Sequence, residues 1–215
     1  MRIENDVKLD FKDVLIRPKR STLASRSQVS LERTYTFKHS GREWTGVPIM
    51  AANMDTTGRF EMAEGLAKHG LLTCMHKHYT ADDWGAWASS AAGARCLKHT
   101  AVSAGASDAD RAAVAAVLDS IDVPFICLDV ANGYSEAFVN AVRRTREAFP
   151  TRTIIAGNVV TGEMTEELLI TGADIIKVPF PPLYLIARRS RASLVHLPRL
   201  ARHRRWWACF AAWPR

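Results

Sequence analysis

The chain has 215 residues, 47% of them hydrophobic and 24% charged, a balance that suits one soluble globular domain with a sizeable core. The formal net charge of +7 is unevenly spread: residues 179–215 hold eight arginines and no Asp, Glu or Lys, so the body 1–178 sums to −1 and is not expected to bind nucleic acid. No run of 18 apolar residues occurs, so no membrane span is expected.

In chain order, the N-terminus "MRIENDVKLDF" carries acids and no apolar segment, so it does not read as a signal peptide, and a cytoplasmic location is expected. An arm of some 46 residues then leads to the first of six short apolar runs. These are "VPIMAANM" (47–54), "LLTCMHK" (71–77), "CLKHTAVSAG" (96–105), "PFICLDVA" (124–131), "TIIAGNVV" (153–160) and "ADIIKV" (173–178), starting 20 to 29 residues apart. That spacing is the period of a strand–helix repeat, and runs apolar on both faces suit strands covered by helices on one side and a packed interior on the other.

Helix signals fill the gaps. "GRFEMAEGLAKHG" (58–70) sets Phe60, Met62, Ala63, Leu66 and Ala67 largely along one side and ends in Gly70, a C-cap residue. Thr80 with Asp83, and Ser107 with Asp110, predict capping boxes that open helices 80–92 and 107–119. Residues 135–149 read as a helix stopped by Pro150, and 162–172 as one with acids in its first turn. Six tandem βα units predict either a doubly wound sheet or part of a (β/α)₈ barrel. The absence of a G-x-G-x-x-G turn after any strand weakens the first.

Four cysteines (Cys74, Cys96, Cys127 and Cys209) show no metal-ligand spacing. The first three sit in apolar runs and are expected to be buried, reduced thiols.

In a barrel, residues at the C-terminal ends of the strands share one mouth. Those ends deliver Asn53 and Asp55; His76, Lys77 and His78; Ser103; Asp129, Asn132 and Gly133; Asn158; and Lys177. Convergence of donors, acceptors and opposite charges on one rim marks a candidate site. Bland readings stand beside it. Asn132-Gly133 also reads as a turn. Asp129 could be the ion-pair partner of Lys77. His76 and His78 lack a third metal ligand, and no metal is expected. Lys177 receives no role.

The stretches "VKLDFKDVLIRPKRSTL" (7–23), "PIMAANMDT" (48–56), "HKHY" (76–79), "CLDVANGYSEAFV" (127–139), "AGNVVTGEM" (156–164) and "TGADIIKV" (171–178) resemble the IMP dehydrogenase/GMP reductase family, and within it the GMP reductase branch. The resemblance covers residues 1–178. It implies a (β/α)₈ TIM barrel, a homotetramer, and NADPH-dependent reduction of GMP to IMP and ammonia. In that reaction a cysteine attacks purine C2 and expels the amine, and hydride from NADPH reduces the adduct. Carried onto this sequence, Lys77 assists proton transfer and meets the cofactor. Ser25, Arg26, Asp108, Asp129, Val130 and Ala131 are implied NADPH contacts. Asn53, Asp55 and Asn158 are the substrate-side candidates. IMP dehydrogenase is the other reading within the family, but it usually carries an insertion after the second strand, where "HKHY" here runs straight into a helix.

After Val178 the pattern breaks. The family continues with Gly-x-Gly-Pro-Gly-Ser-x-Cys, a loop that binds potassium and presents the nucleophile. Here Pro179 and Phe180 follow, and Ile186 stands where the cysteine belongs. Residues 179–215 are therefore expected to be a separate, irregular basic tail produced by a shifted frame or truncation, leaving about six βα units with two unpaired barrel edges, no potassium loop, a chain unstable or aggregation-prone when expressed alone, and no turnover. A non-catalytic nucleotide-binding fragment is one alternative. Another is an arginine- and tryptophan-rich tail that binds RNA or an anionic membrane. Cys209, set among Trp and Phe with no neighbouring base, is a poor substitute nucleophile.

Overall fold

The computed structural model describes Leu15 and residues 17–178. The expectations placed on Ile186, Cys209 and the basic tail lie outside the described residues. Each of the six apolar runs yields a strand, shorter than its run: β3 (Met50–Ala51), β4 (Leu72–Cys74), β5 (Thr100–Ala104), β6 (Phe125–Asp129), β7 (Thr153–Gly157) and β8 (Ile175–Lys177). They form one sheet in sequential order, and every neighbouring pair is parallel. Sequential parallel order with helical crossovers between consecutive strands is the connectivity of a (β/α)₈ barrel, here present as an incomplete barrel of six strands among the described residues.

The helices are α1 (Phe60–Ala67), α2 (Ala81–Ala88), α3 (Ala91–Cys96), α4 (Asp108–Leu118), α5 (Glu136–Ala148) and α6 (Gly162–Thr171). Both predicted capping boxes form: Thr80 and Ser107 accept the backbone N–H of Asp83 and Asp110, whose carboxylates reach back to the cap residues. Gly70 adopts φ +67°, the left-handed conformation that ends the α1 segment.

Two expectations are corrected. The helix placed over 80–92 is two helices, because Ser90 starts a new one by accepting the Gly93 N–H at 3.0 Å. Gly93 packs so tightly on the preceding helix that an added Cβ would lie 2.0 Å from the Trp87 carbonyl oxygen. In consequence the run 96–105 begins as the end of α3 and a 3-10 turn, Leu97–His99, and extends only from Thr100.

The N-terminal arm, given no structure by its sequence, contains an antiparallel hairpin of β1 (Arg33–Thr36) and β2 (Glu43–Gly46). It covers the inner face of the sheet at the N-terminal ends of the strands. Phe37 meets Phe125 edge-on at 5.7 Å, and Trp44 meets Phe125 at 6.3 Å and His99 at 5.7 Å. Strand alternation thus builds two cores. Outward residues such as Val102, Ile126, Leu128, Ile154 and Ile176 pack under the helices. Inward residues Leu72, Cys74, Phe125, Cys127, Ile155 and Ile175 pack against the hairpin. The hairpin packs at the N-terminal ends of the strands, and the polar residues at the strand C-termini gather at the opposite end.

Candidate functional site at the strand C-termini

The inward alternation of β6 runs Phe125, Cys127, Asp129, and that of β8 runs Ile175, Lys177. A polar layer therefore caps the apolar interior. Asn53, just past β3, completes it. Its amide nitrogen donates to Asp129 Oδ2 at 2.8 Å, and Lys177 Nζ donates to its Oδ1 at 3.1 Å. Lys177 Nζ also donates to, and forms an ion pair with, Asp129 Oδ1. Three side chains, two on strands and one on the segment just past β3, close a ring of hydrogen bonds across the mouth. The side chains of Lys177 and Asp129 retain only 20% and 29% exposure. Burial opposes the ammonium charge, yet the Cys127 sulfur and the Asp129 carboxylate together hold Lys177 above the ordinary lysine value.

Asp129 is thus paired with Lys177. The pairing with Lys77 does not form, because Lys77 lies past the end of β4, exposed at the rim, where its charge acts on Asp110 at the start of α4. Burial raises the pKa of that carboxyl, but the Ser107 hydroxyl and backbone bonds, helped by Lys77, bring it below its ordinary value.

Beneath the ring lie two buried thiols. Cys74 donates to the Met50 sulfur at 3.2 Å and shares a hydrogen bond with Cys127. That bond and full burial push the Cys74 thiol well up, away from the thiolate form. Cys74, Cys96 and Cys127 are all free and buried, as their apolar settings imply.

The loops after β6 and β7 are knitted together. Val130 N–H donates to Gly157 O at 2.8 Å, Asn158 N–H to Val130 O at 2.9 Å, and Gly133 N–H to Asn158 O at 2.9 Å. Gly133 is more than a turn residue: a Cβ there would lie 2.8 Å from the Asn158 carbonyl oxygen and 2.7 Å from Val159 Cγ1. Tyr134 extends the junction, its hydroxyl accepting from Val160 N–H at 2.9 Å. Asn158 and Val130 therefore reach the same rim as Asp129, with exposed Ala131 beside them.

The other candidates sit farther out. Exposed Asp55 lies 3.4 Å from His78 Nε2. His76 stacks on Tyr79 at 4.0 Å, Tyr79 on Phe60 at 3.8 Å, and Phe60 on Trp87 at 4.5 Å, a column that ties the "HKHY" segment to the helix layer. Asp108 opens α4 and is engaged by Arg111 at 2.6 Å and Arg144 at 3.1 Å. Ser25 and Arg26 belong to a 3-10 turn closed by Ser25 and Gln28, and among the described residues their hydrogen bonds stay within that turn and its cap. Among the described residues the structure joins Asn53, Asp129 and Lys177 directly. It leaves Ser25, Arg26 and Asp108 outside that ring. Among the same residues no group of three or more His, Cys, Asp or Glu side chains could hold a metal ion, and no helix is long and apolar enough to cross a membrane.

Lys177 is the residue that sequence reasoning passed over. The signal was present in its spacing. It stands two residues after Ile175, as Asp129 stands two after Cys127, and period-two alternation puts both on the inner face.

Comparison with known proteins places these features. The family model for the IMP dehydrogenase / GMP reductase domain matches residues 8–182. A GMP reductase of Salmonella arizonae is 62% identical over 195 residues, covering 90% of this chain and 56% of that protein. A GMP reductase of Klebsiella pneumoniae is likewise 62% identical over 195 residues, with the same coverage. The crystal structure of inosine 5′-monophosphate dehydrogenase from Legionella pneumophila superimposes with a TM-score of 0.71 at 26% identity, covering 89% of this chain and 57% of that one. The chain thus spans a little over half the length of the curated relatives it matches.

Proposed function

The chain belongs to the IMP dehydrogenase / GMP reductase family, and on that premise we propose that it is the NADPH- and purine-nucleotide-binding part of a GMP reductase, a cytoplasmic enzyme that converts GMP to IMP and ammonia. The observation that carries this reading is the 62% identity, across 90% of the chain, to proteins named GMP reductase. The solved IMP dehydrogenase is only 26% identical, which favours the reductase branch over the dehydrogenase.

The donor set at the mouth suits the cofactor. Asp129 offers carboxylate lone pairs to the hydroxyl or carboxamide donors of a nicotinamide nucleotide, while exposed Lys77 sets a cation at the rim for a phosphate and serves as the proton-transfer candidate. Val130 and Ala131 continue from Asp129 along the loop held by β7, and Ser25, Arg26 and Asp108 complete the proposed cofactor contacts. Asn53, Asp55 and Asn158 face the purine nucleotide in this reading. Bound NADPH supplies the hydride. The protein's own share is to hold it beside the substrate.

Turnover needs a thiol at purine C2. Ile186 stands at the position of the family cysteine, and the buried Cys74 and Cys127 lie beneath the polar layer. The glycine-rich segment that would coordinate potassium does not follow Val178, so the sequence does not fit that ion and no step is assigned to it. We therefore assign binding without turnover to this chain, within an assembly expected to be a homotetramer.

Fluorescence titration of the purified chain with NADPH, together with an assay for IMP and ammonia from GMP, tests both parts. Saturable NADPH binding with no product is the expected result. Failure to bind NADPH overturns the assignment, and formation of IMP and ammonia overturns the loss of turnover.

A further inference from the structure

We infer that Lys177 is a positioning residue that fixes the Asp129 carboxylate for the cofactor, with Asn53 as its second anchor. This rests on the reading that Asp129 meets NADPH, and it gives a role to a residue that reading leaves unused. The ring geometry is the argument. A lysine ammonium has three donors, and among the described residues Lys177 spends one on Asp129 Oδ1 and one on Asn53 Oδ1. Asp129 Oδ2 is held from the other side by the Asn53 amide at 2.8 Å. With one oxygen tethered to β8 and the other to the segment past β3, the carboxylate is held against rotation, and its remaining lone pairs are pre-aimed.

Pre-orientation matters because an unrestrained acidic side chain must be ordered when a ligand binds, at a cost taken from affinity. The arrangement is also a matter of charge. Asp129 is only 29% exposed, so removing its cation leaves a poorly solvated carboxylate beside a neutral amide. Lys77 does not share this role: it is exposed past the end of β4, and among the described residues it makes no hydrogen bond or ion pair with Asp129.

A purely structural staple between β3 and β8 is the competing account, and a double-mutant cycle separates the two. NADPH is titrated into the full chain and into Lys177→Met, Lys177→Arg, Asp129→Asn and Asp129→Asn/Lys177→Met, with far-ultraviolet circular dichroism confirming the fold. The expected result is a Kd raised about tenfold or more in Lys177→Met. Lys177→Arg, which keeps the cation, stays within about threefold of wild type. In the Asp129→Asn background, adding Lys177→Met changes the Kd little, because the carboxylate that Lys177 positions is already gone. Equal weakening in both backgrounds overturns the positioning role in favour of a staple. An unchanged Kd in Lys177→Met overturns it while leaving the NADPH assignment standing. A wild-type chain that does not bind NADPH overturns both. Should Lys177→Met fail to fold, Lys177→Gln takes its place in each arm with the same expected outcomes.

Discussion

Arg146 Nη2 lies 2.6 Å from Asp174 Oδ2, and the side chain of that aspartate is completely buried. The same carboxylate accepts the backbone N–H of His39 at 2.8 Å and of Ile154 at 3.1 Å. Asp174 therefore fastens the hairpin loop, the start of β7 and the end of α5 to the approach of β8. A buried carboxylate removed from such a network leaves a cation and several backbone donors unsatisfied, and breaking a buried pair costs about 3–5 kcal/mol. Asp174→Ala is predicted to lower stability by that order in urea denaturation. Asp122 is the contrast. It pairs with Arg42 and Arg152 but its side chain is 74% exposed. Solvent screening leaves such a pair about 0–1 kcal/mol, so Asp122→Ala is expected to shift the midpoint little. Comparable losses in the two variants would contradict this account of the floor.

The indole N–H of Trp44 donates to His99 Nδ1 at 3.2 Å, which requires that nitrogen to be unprotonated. His99 is 6% exposed. Burial, and then the charge of Lys98, hold its pKa below the ordinary histidine value. The sign follows from linkage. Below about pH 6.5 the unfolded chain binds a proton that the folded chain resists, so stability falls as pH drops, and above that value the contribution is flat. The thermal midpoint is predicted to decline from about pH 7.5 to about pH 5.5. In His99→Gln, whose side-chain oxygen can still accept from Trp44, the decline should be shallower. A variant that loses stability with acid as steeply as wild type would place the titrating group elsewhere.

The parts of this fold legible in the sequence were those written in local chemistry. Ser107 and Asp110 predicted the start of α4 because a hydroxyl and a carboxylate three residues apart satisfy each other's backbone donors. The six strands showed through their apolar runs, and their repeat length pointed to the barrel. What stayed hidden depends on partners distant in sequence. The hairpin Arg33–Gly46 is stabilised by Phe37 and Trp44 reaching a strand some 80 residues later, and nothing local to the arm announces that contact. The break in the predicted 80–92 helix arises where Gly93 must pass against Trp87. At the site, Asp129 was recognised as polar at a strand tip, but its partner was sought in Lys77, near in the rim motif. The true partner, Lys177, comes from the strand two places across, in register with Asp129 on either side of Gly157, whose lack of a side chain leaves room between them.

Lys77 is exposed, and none of the hydrogen bonds among the described residues involves its side chain. Lys77→Gln is predicted to leave stability within about 0.5 kcal/mol of wild type, as for surface substitutions generally. In the proposed cofactor site its contribution is a rim charge facing a phosphate. NADPH affinity should therefore fall about two- to fivefold at low salt and converge with wild type as ionic strength rises and screening removes the difference. Titrations at two salt concentrations check this. A loss that persists at high salt would mean that Lys77 makes a direct, desolvated contact instead.

Gly133 tests the junction between the β6 and β7 loops. Its N–H is bonded to Asn158 O, and the space a Cβ needs is taken by that same backbone oxygen at 2.8 Å and by Val159 Cγ1 at 2.7 Å. A backbone oxygen cannot swing aside as a flexible side chain can, so Gly133→Ala must separate the two loops. The displacement falls beside Asp129, Val130 and Asn158, the proposed nucleotide contacts, and at Val159 on the edge of the core under the helices, away from the hairpin. The expected outcome is NADPH affinity lowered by about tenfold, equivalent to about 1.4 kcal/mol, with a change in unfolding free energy of about 1–2 kcal/mol. Parallel titration and denaturation of the variant read the two effects separately. Unchanged affinity alongside the expected loss of stability would remove the loop junction from the cofactor site and confine it to a structural role.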